Sequence, residues 1–212
     1  MPGCCNSSQA RLRCVCRKTW RCDSSPRHYN KYMKNKSPYI LKIDSDISLR
    51  VRTKDEALEL FNLVQENKKH LSKFLVWVEY TKSVSDSKDF IVKKLKEFTD
   101  GKSCDFGIYF KEEIIGSAGL IKIDKENKTG EIGYWISKNY EGRGIVTNVV
   151  KKLIEISKKK YKLHRIEIQM LTENKKSRAV PERLGFTHEG TMKDVVIRKG
   201  KFHSKEVWGL II

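Results

Sequence analysis

A chain of 212 residues, 39% hydrophobic and 33% charged, suits one α/β domain with a real core plus an extension. No apolar run approaches the roughly 20 residues that span a bilayer, so no membrane partner is expected. A formal charge of +18 predicts attraction to polyanions, whether nucleotide cofactors, RNA or acidic protein surfaces, without choosing among them.

Residues 1–36 read as a separate leader. They carry Arg11, Arg13, Arg17, Arg21 and Arg27 against a single acid, Asp23, with no periodic apolar face, so disorder is expected there. Cys4, Cys5, Cys14, Cys16 and Cys22 all fall in this leader and only Cys104 in the body, which suits a reducing, cytoplasmic compartment. Their Cys-Cys and Cys-x-Cys spacings miss the paired spacing of zinc modules, and Cys22 with His28 supplies no second pair, so no metal is expected. Three readings of the leader stay open, in this order of preference: an adventitious extension upstream of Met33, an acid-poor organellar transit sequence, and a basic arm for RNA. Taking away residues 1–32 removes seven Lys/Arg and one acid and leaves a body at +12.

The domain is expected over residues 37–212. Ile47 to Arg52 alternates apolar and polar like a half-buried strand. Thr53 and Glu56 form a capping box that opens a helix with Leu58, Phe61, Leu63 and Val64 as its apolar residues. The apolar run His70 to Val78 predicts a short helix or a pocket wall. Ser83 and Asp86 open another helix, with Ile91, Leu95 and Phe98 on one face and Gly101 closing it. Cys104 to Phe110 and Ile114 to Asp124 read as a hairpin across residues 111–113.

The next stretch, Thr129 to Lys160, is the most informative. It predicts a strand (Glu131 to Ile136), a turn Glu141-Gly142-Arg143-Gly144, and a helix whose Val146, Val149, Val150, Leu153 and Ile154 share one face. A strand feeding a Gly-x-Gly turn into a helix start makes an anion site, because the first helical N–H groups lack partners and the helix dipole points positive charge at them. A plain connection has the same local pattern. Further on, Arg165 to Leu171 reads as a strand and Asn174 to Leu184 as a short helix ended by Gly185. Phe186 to Thr191 and Val195 to Arg198 are extended, and Glu206 to Ile212 is a final strand after a turn at Gly200. The order β-α-α-β-β-β-α-β-α-β-β predicts a single mixed, mainly antiparallel central sheet flanked by helices, of the α/β (α+β) class.

Several motifs in this order resemble the GNAT acetyltransferase superfamily. The loop Glu141-Gly142-Arg143-Gly144-Ile145-Val146 resembles its coenzyme-A pyrophosphate loop, usually Q/R-x-x-G-x-G/A. Asn174-Lys175-Lys176-Ser177 is similar to its N-x-x-S turn, and Leu184-Gly185-Phe186 with Glu189-Gly190 to its LGF…EG signature. The stretch Leu71 to Val78, with Trp77, is similar to the branch that acetylates ribosomal-protein N-termini. The match runs from about Ile47 to the end of the chain. Two residues depart from the pattern: Glu141 stands where Gln or Arg is usual, and Val146 replaces a small residue.

The resemblance implies an acetyl-CoA-dependent N-acetyltransferase with a GNAT-like fold, acetyl-CoA as cosubstrate and no metal. It implies that the strand residues Gly133, Tyr134, Trp135 and Ile136 pair with the pantetheine arm and offer an oxyanion donor. Glu141, Gly142, Arg143, Gly144, Ile145, Val146 and Thr147 would surround the pyrophosphate, and Asn174 would bond the pantetheine. Ser177 would protonate the leaving thiolate; helix capping by Asn174 and Ser177 is the plainer reading. Related enzymes are thought to use a glutamate where Val196 stands here, so Glu131 becomes the best general base, with Asp194 or a water next. Trp77 would wall a substrate groove. His164, His188 and His203 have no paired ligand spacing and read as structural.

The expected acceptor is the N-terminal α-amine of a ribosomal protein, with ribosome association and a homodimer as further expectations. The alternatives are a small amine such as a polyamine or aminoglycoside, or a non-catalytic member that binds coenzyme A or RNA.

Overall fold

The computed structural model describes residues 39–212; the leader, and every reading made of it, lies outside the described residues. Eight strands form one sheet: β1 (Ile40–Lys42), β2 (Ile47–Arg50), β3 (Cys104–Phe110), β4 (Glu113–Asp124), β5 (Thr129–Ile136), β6 (Arg165–Leu171), β7 (Thr187–Arg198) and β8 (Lys201–Ile211). They lie in the order β1-β2-β3-β4-β5-β6-β8-β7, and every neighbouring pair is antiparallel except β5 and β6. The helices are α1 (Ala57–Glu66), α2 (Lys68–Leu71), α3 (Val84–Thr99), α4 (Ile145–Lys159) and α5 (Lys175–Arg183). The expected mixed, mainly antiparallel sheet with flanking helices is the architecture found. Among the described residues no helix is long and apolar enough to cross a membrane.

The local chemistry explains most boundaries. At α3 the Ser83 N–H donates to Asp86 Oδ2 at 2.8 Å and the Asp86 N–H to Ser83 Oγ at 3.3 Å, the reciprocal bonds of a capping box. The other box opens a tighter turn first: Thr53 N–H donates to Glu56 Oε2 at 2.5 Å, residues Lys54–Glu56 form a 3₁₀ turn, and α1 follows. Of the expected apolar residues Leu63 and Val64 are buried, Phe61 is half-buried and Leu58 points to solvent; Ala57 and Leu60 complete the buried face. The run His70 to Val78 becomes the end of α2 plus a 3₁₀ turn at Val76–Glu79 that carries Trp77.

Helix α4 closes the core beneath β5. Its buried face is Ile145, Val149, Val150, Leu153 and Ile156, with Val146 and Ile154 packed at the margin. Strand β1 is only three residues, too short for a period-2 pattern to show. The largest departure from the sequence reading is the last hairpin. β7 runs unbroken from Thr187 to Arg198 through irregularities between His188 and Gly190 and between Met192 and Val196, and β8 begins at Lys201. Lys199 and Gly200 both adopt positive φ (49° and 73°), which suits a tight two-residue hairpin turn between twisted strands. The segment Lys201 to Lys205 is too polar to read as strand, and it protrudes beyond the last β6 pair, Leu171 with Lys205.

Candidate active site

β5 bonds to β4 along its length, from Thr129 opposite Asp124 to Ile136 opposite Gly116. On its other edge it bonds to β6 only from Thr129 opposite Arg165 to Ile132 opposite Ile168. Beyond that point the two parallel strands part. The edge of β5 from Gly133 to Ile136, with Tyr134 and Trp135 between, therefore lines an opening in the middle of the sheet. Side chains alternate along a strand, so Glu131, Gly133 and Trp135 face one side of the sheet and Ile132, Tyr134 and Ile136 the other.

The glycine turn sits at the end of β5. Gly142 and Gly144 hold φ of 75° and 74°, the left-handed region that favours glycine. A Cβ at either position would meet nothing within 4 Å, so the outer side of the loop is open and not packed. Gly144 is the N-cap of α4 and offers no side-chain acceptor; the first intrahelical bond is from Asn148 N–H to its carbonyl at 3.1 Å. The N–H groups of Ile145, Val146 and Thr147 consequently have no acceptor among the described residues. This cradle fits a phosphate group. Val146 does not obstruct it, because its side chain packs against the core.

Glu141 is turned away from those amides. One carboxylate oxygen lies 2.9 Å from His70 Nε2 and the other 2.5 Å from Lys176 Nζ, which ties the loop to α2 and to the first turn of α5. A negative charge beside an anion site is thereby matched by the Lys176 ammonium, with the His70 ring against the other oxygen. Arg143 is folded back: it donates to the Asn139 carbonyl at 2.9 Å and lies 5.0 Å over the Tyr140 ring. Arg183, at the end of α5, reaches Thr147 Oγ1 at 3.4 Å and adds a second cation near the cradle.

On the inner face Ser177 and Tyr134 are clasped. Ser177 Oγ donates to Tyr134 Oη at 3.1 Å, and Tyr134 Oη donates to the Ser177 carbonyl at 3.0 Å. That carbonyl is available for a reason in the sequence. Pro181, four residues on within α5, has no N–H to take it up. Asn174 caps α5, accepting from Ser177 N–H at 3.2 Å through Oδ1. Burial pushes the Tyr134 phenol up to about 12, with Ser177 and the Arg183 charge opposing. Tyr134 is thus a neutral donor across the physiological range.

The outer face is more open and more charged. Trp77 and Trp135 meet at 5.9 Å between ring centroids, and Trp77 is 39% exposed. Glu131 is half-buried in the bonded part of β5, directly opposite Glu167. Burial holds its carboxyl above the usual range, with Lys205 and Lys122 pulling down and Glu167 pushing up. At the tip of the β7–β8 hairpin, Lys199 Nζ lies 3.9 Å from Glu79 Oε1, so the hairpin reaches the turn that carries Trp77. Among the described residues no group of three or more His, Cys, Asp or Glu is placed to hold a metal.

The opening therefore brings together Gly133 to Ile136, the turn, Asn174 and Ser177, with Trp77 across the outer face. The sequence reading missed Lys176, Arg183, His70 and the role of Pro181. Lys176 and Pro181 lay inside or beside a recognised motif, but nothing in the spacing shows which carbonyl a proline frees or which acid a lysine meets.

Known proteins are similar to this chain in sequence and fold. Residues 46–187 match the acetyltransferase (GNAT) domain. YdaF of Bacillus subtilis (strain 168), named for ribosomal N-acetyltransfer, is 31% identical over 174 residues, covering 82% of this chain and 95% of YdaF. The structure of the microcin C7 self-immunity acetyltransferase MccE, in complex with acetyl-CoA and AMP, superposes with a TM-score of 0.79 at 33% identity, covering 83% of this chain and 98% of that one. RimL, a ribosomal L7/L12 α-N-protein acetyltransferase in complex with coenzyme A, also gives 0.79, at 26% identity over 82% and 98% of the two chains. With the domain matched over most of its length and the relatives covered nearly end to end, this chain belongs to the GNAT acetyltransferase family.

Proposed function

We propose that this N-acetyltransferase acetylates the N-terminal α-amine of a ribosomal protein, with acetyl-CoA as the donor. The observation that carries the reading is the opening between β5 and β6, which has an anion cradle at one end, Ser177 on one face and the Trp77–Trp135 pair on the other. YdaF and RimL, similar over most of their lengths, support the ribosomal acceptor. An α-amine with a pKa near 8 is partly neutral at physiological pH, so it needs less help to react than a lysine near 10.4.

Acetyl-CoA supplies the thioester; the chain positions it and moves protons. The free N–H groups at residues 145–147 hold the pyrophosphate, with Arg143, Arg183 and the Glu141-anchored Lys176 alongside. The unpaired edge of β5 from Gly133 to Ile136 bonds the pantetheine amides, and one of its N–H groups meets the carbonyl oxygen as negative charge develops. Asn174 has its Oδ1 engaged by the helix and offers its amide nitrogen to the arm. Ser177 gives its proton to the leaving sulfur, oriented by Tyr134. Glu131, on the outer face, draws the acceptor ammonium toward the opening by its charge.

Ribosome association, a cytoplasmic location and a homodimer complete this reading; the +12 body supports the first through attraction to RNA and acidic protein. The AMP held by MccE favours one second reading, an acceptor α-amine on a nucleotide-bearing molecule, with Trp77 and Trp135 as a stacking wall. The test follows thiol release from acetyl-CoA with N-terminal peptides, polyamines, aminoglycosides and an aminoacyl-nucleotide analogue, alongside coenzyme-A calorimetry. Turnover confined to free α-amines of peptides is expected. Binding without turnover of any amine would reject the enzymatic reading.

A further inference from the structure

Of the three histidines that the sequence presents as structural, one is not placed like a packing residue. His203 Nδ1 lies 2.7 Å from Glu173 Oε1. Glu173 is the residue just before Asn174, which caps the helix of Ser177. The imidazole is 13% exposed, and its Nε2 has no hydrogen bond among the described residues. Cross-strand pairing places it opposite Val196, an apolar neighbour that cannot titrate. Strand alternation puts His203 on the same sheet face as Lys205, Val207 and Gly209 of β8, hence the face of Glu167, Glu131 and Trp135. The hairpin that carries it reaches Glu79 beside Trp77. His203 therefore stands on the acceptor side of the opening, while Ser177 stands on the donor side.

We infer that His203, oriented by Glu173, is the general base that takes the proton from the acceptor ammonium. The inference rests on the acetyltransferase reading above and deepens it. A carboxylate that accepts Nδ1–H fixes the tautomer in which Nε2 carries the lone pair. An imidazole so fixed is a better-matched acceptor near neutral pH than a lone carboxylate. The proton count closes. One N–H bond of the ammonium breaks and its proton goes to Nε2. The nitrogen lone pair then forms the N–C bond to the acetyl carbon as the C–S bond breaks. The sulfur takes the Ser177 hydroxyl proton, the second proton lost by nitrogen restores Ser177, and the imidazolium proton leaves to water.

The charged groups that act on the His203–Glu173 pair or share its side of the sheet are Arg198 on β7, whose charge acts on Glu173, Lys205 on β8 and Glu131 on β5, which act on each other, and the Lys199–Glu79 pair at the hairpin tip. Glu131 and Lys205 oppose each other in sign, which leaves Glu173 as the partner that sets the ring.

The experiment compares pH–rate profiles of the wild type, His203→Gln, Glu173→Gln and Glu131→Gln from about pH 6 to about pH 9 on an N-terminal peptide, spanning the imidazole and α-amine ranges. His203→Gln should lower kcat/KM about a hundredfold at neutral pH and recover toward wild type above about pH 8, where the amine is neutral unaided. Glu173→Gln should reproduce part of that loss, and imidazole ¹⁵N–¹H correlation spectra should show the Nδ1–H tautomer in wild type and a mixture in Glu173→Gln. Coenzyme-A affinity should be unchanged in all three. A His203→Gln loss that is uniform across pH, or one confined to KM, would overturn the inference and leave His203 a groove residue; so would an acid limb that vanishes only in Glu131→Gln. Wild-type protein that binds coenzyme A but acetylates no amine would overturn the functional reading itself, an outcome visible before any variant is made.

Discussion

The two faces of the β5–β6 opening are built differently. On the inner face Ser177, Tyr134, Asn174 and Pro181 form a bonded set in which Ser177 and Tyr134 clasp each other and a proline decides where one carbonyl turns. On the outer face lie Trp77, Glu131, Lys205 and the His203–Glu173 pair, with the tip of a long hairpin meeting the Trp77 turn through an ion pair at 3.9 Å. Under the proposed function the inner face would handle the same thioester in every turnover, which favours preorganisation. The outer face would, under the same function, admit a polypeptide end and release it acetylated, which favours a surface with few fixed contacts.

That contrast is sharpest at the anion cradle. Gly144→Val puts a β-branched residue at a φ of 74° and a side chain on the open side of the loop. The strain alone costs roughly 1–2 kcal/mol, and coenzyme-A affinity should fall on the order of tenfold to a hundredfold by calorimetry. A smaller effect is expected at Pro181. Pro181→Ala restores an N–H that can take the Ser177 carbonyl, releases Tyr134, and should lower kcat about tenfold with little change in thermal stability. Tyr134→Phe should do the same by removing the other partner. If neither substitution alters kcat, the clasp is packing only.

Glu131 sharpens the contrast from the outer side. Its folded pKa is raised by burial, so the stability it contributes is fully present below its unfolded value near 4.3 and is lost as pH rises through the folded value. Glu131→Gln should therefore gain thermal stability over wild type as pH rises from about 4 toward neutrality, while kcat/KM falls several-fold. A stability difference that does not change with pH would contradict the burial argument. Trp77→Ala should have the smallest effect, raising KM for a peptide acceptor a few-fold through the lost ring contact and leaving kcat and coenzyme-A affinity alone.

Legibility in the sequence follows the same division. The strand–glycine–helix unit and the Asn174–Ser177 turn were readable because their chemistry is local: left-handed glycines, a helix start and a cap lie within a few residues. The order of elements was readable from alternation and helix periodicity, apart from β1 and the hairpin arm at Lys201 to Lys205, where polar residues pair on a protruding ribbon, while the place of β8 between β6 and β7 was not. Glu141 looked like a misfit because its partners, His70 and Lys176, are 71 and 35 positions away in the chain. The contact of His203 with Glu173 was hidden for the same reason, since the two meet across 30 positions and only through the β6–β8 pairing. Long-range pairing decides the outer face, and no local pattern reports it.

The central claim is that Ser177 acts on the leaving sulfur without holding the cofactor. Its most direct test measures kcat and coenzyme-A affinity for Ser177→Ala side by side, on a peptide acceptor that the wild type acetylates. A fall in kcat of about a hundredfold, with coenzyme-A affinity within about twofold of wild type, is the predicted result. Equal loss of both, or no change in either, would contradict it and leave Ser177 a helix-turn residue.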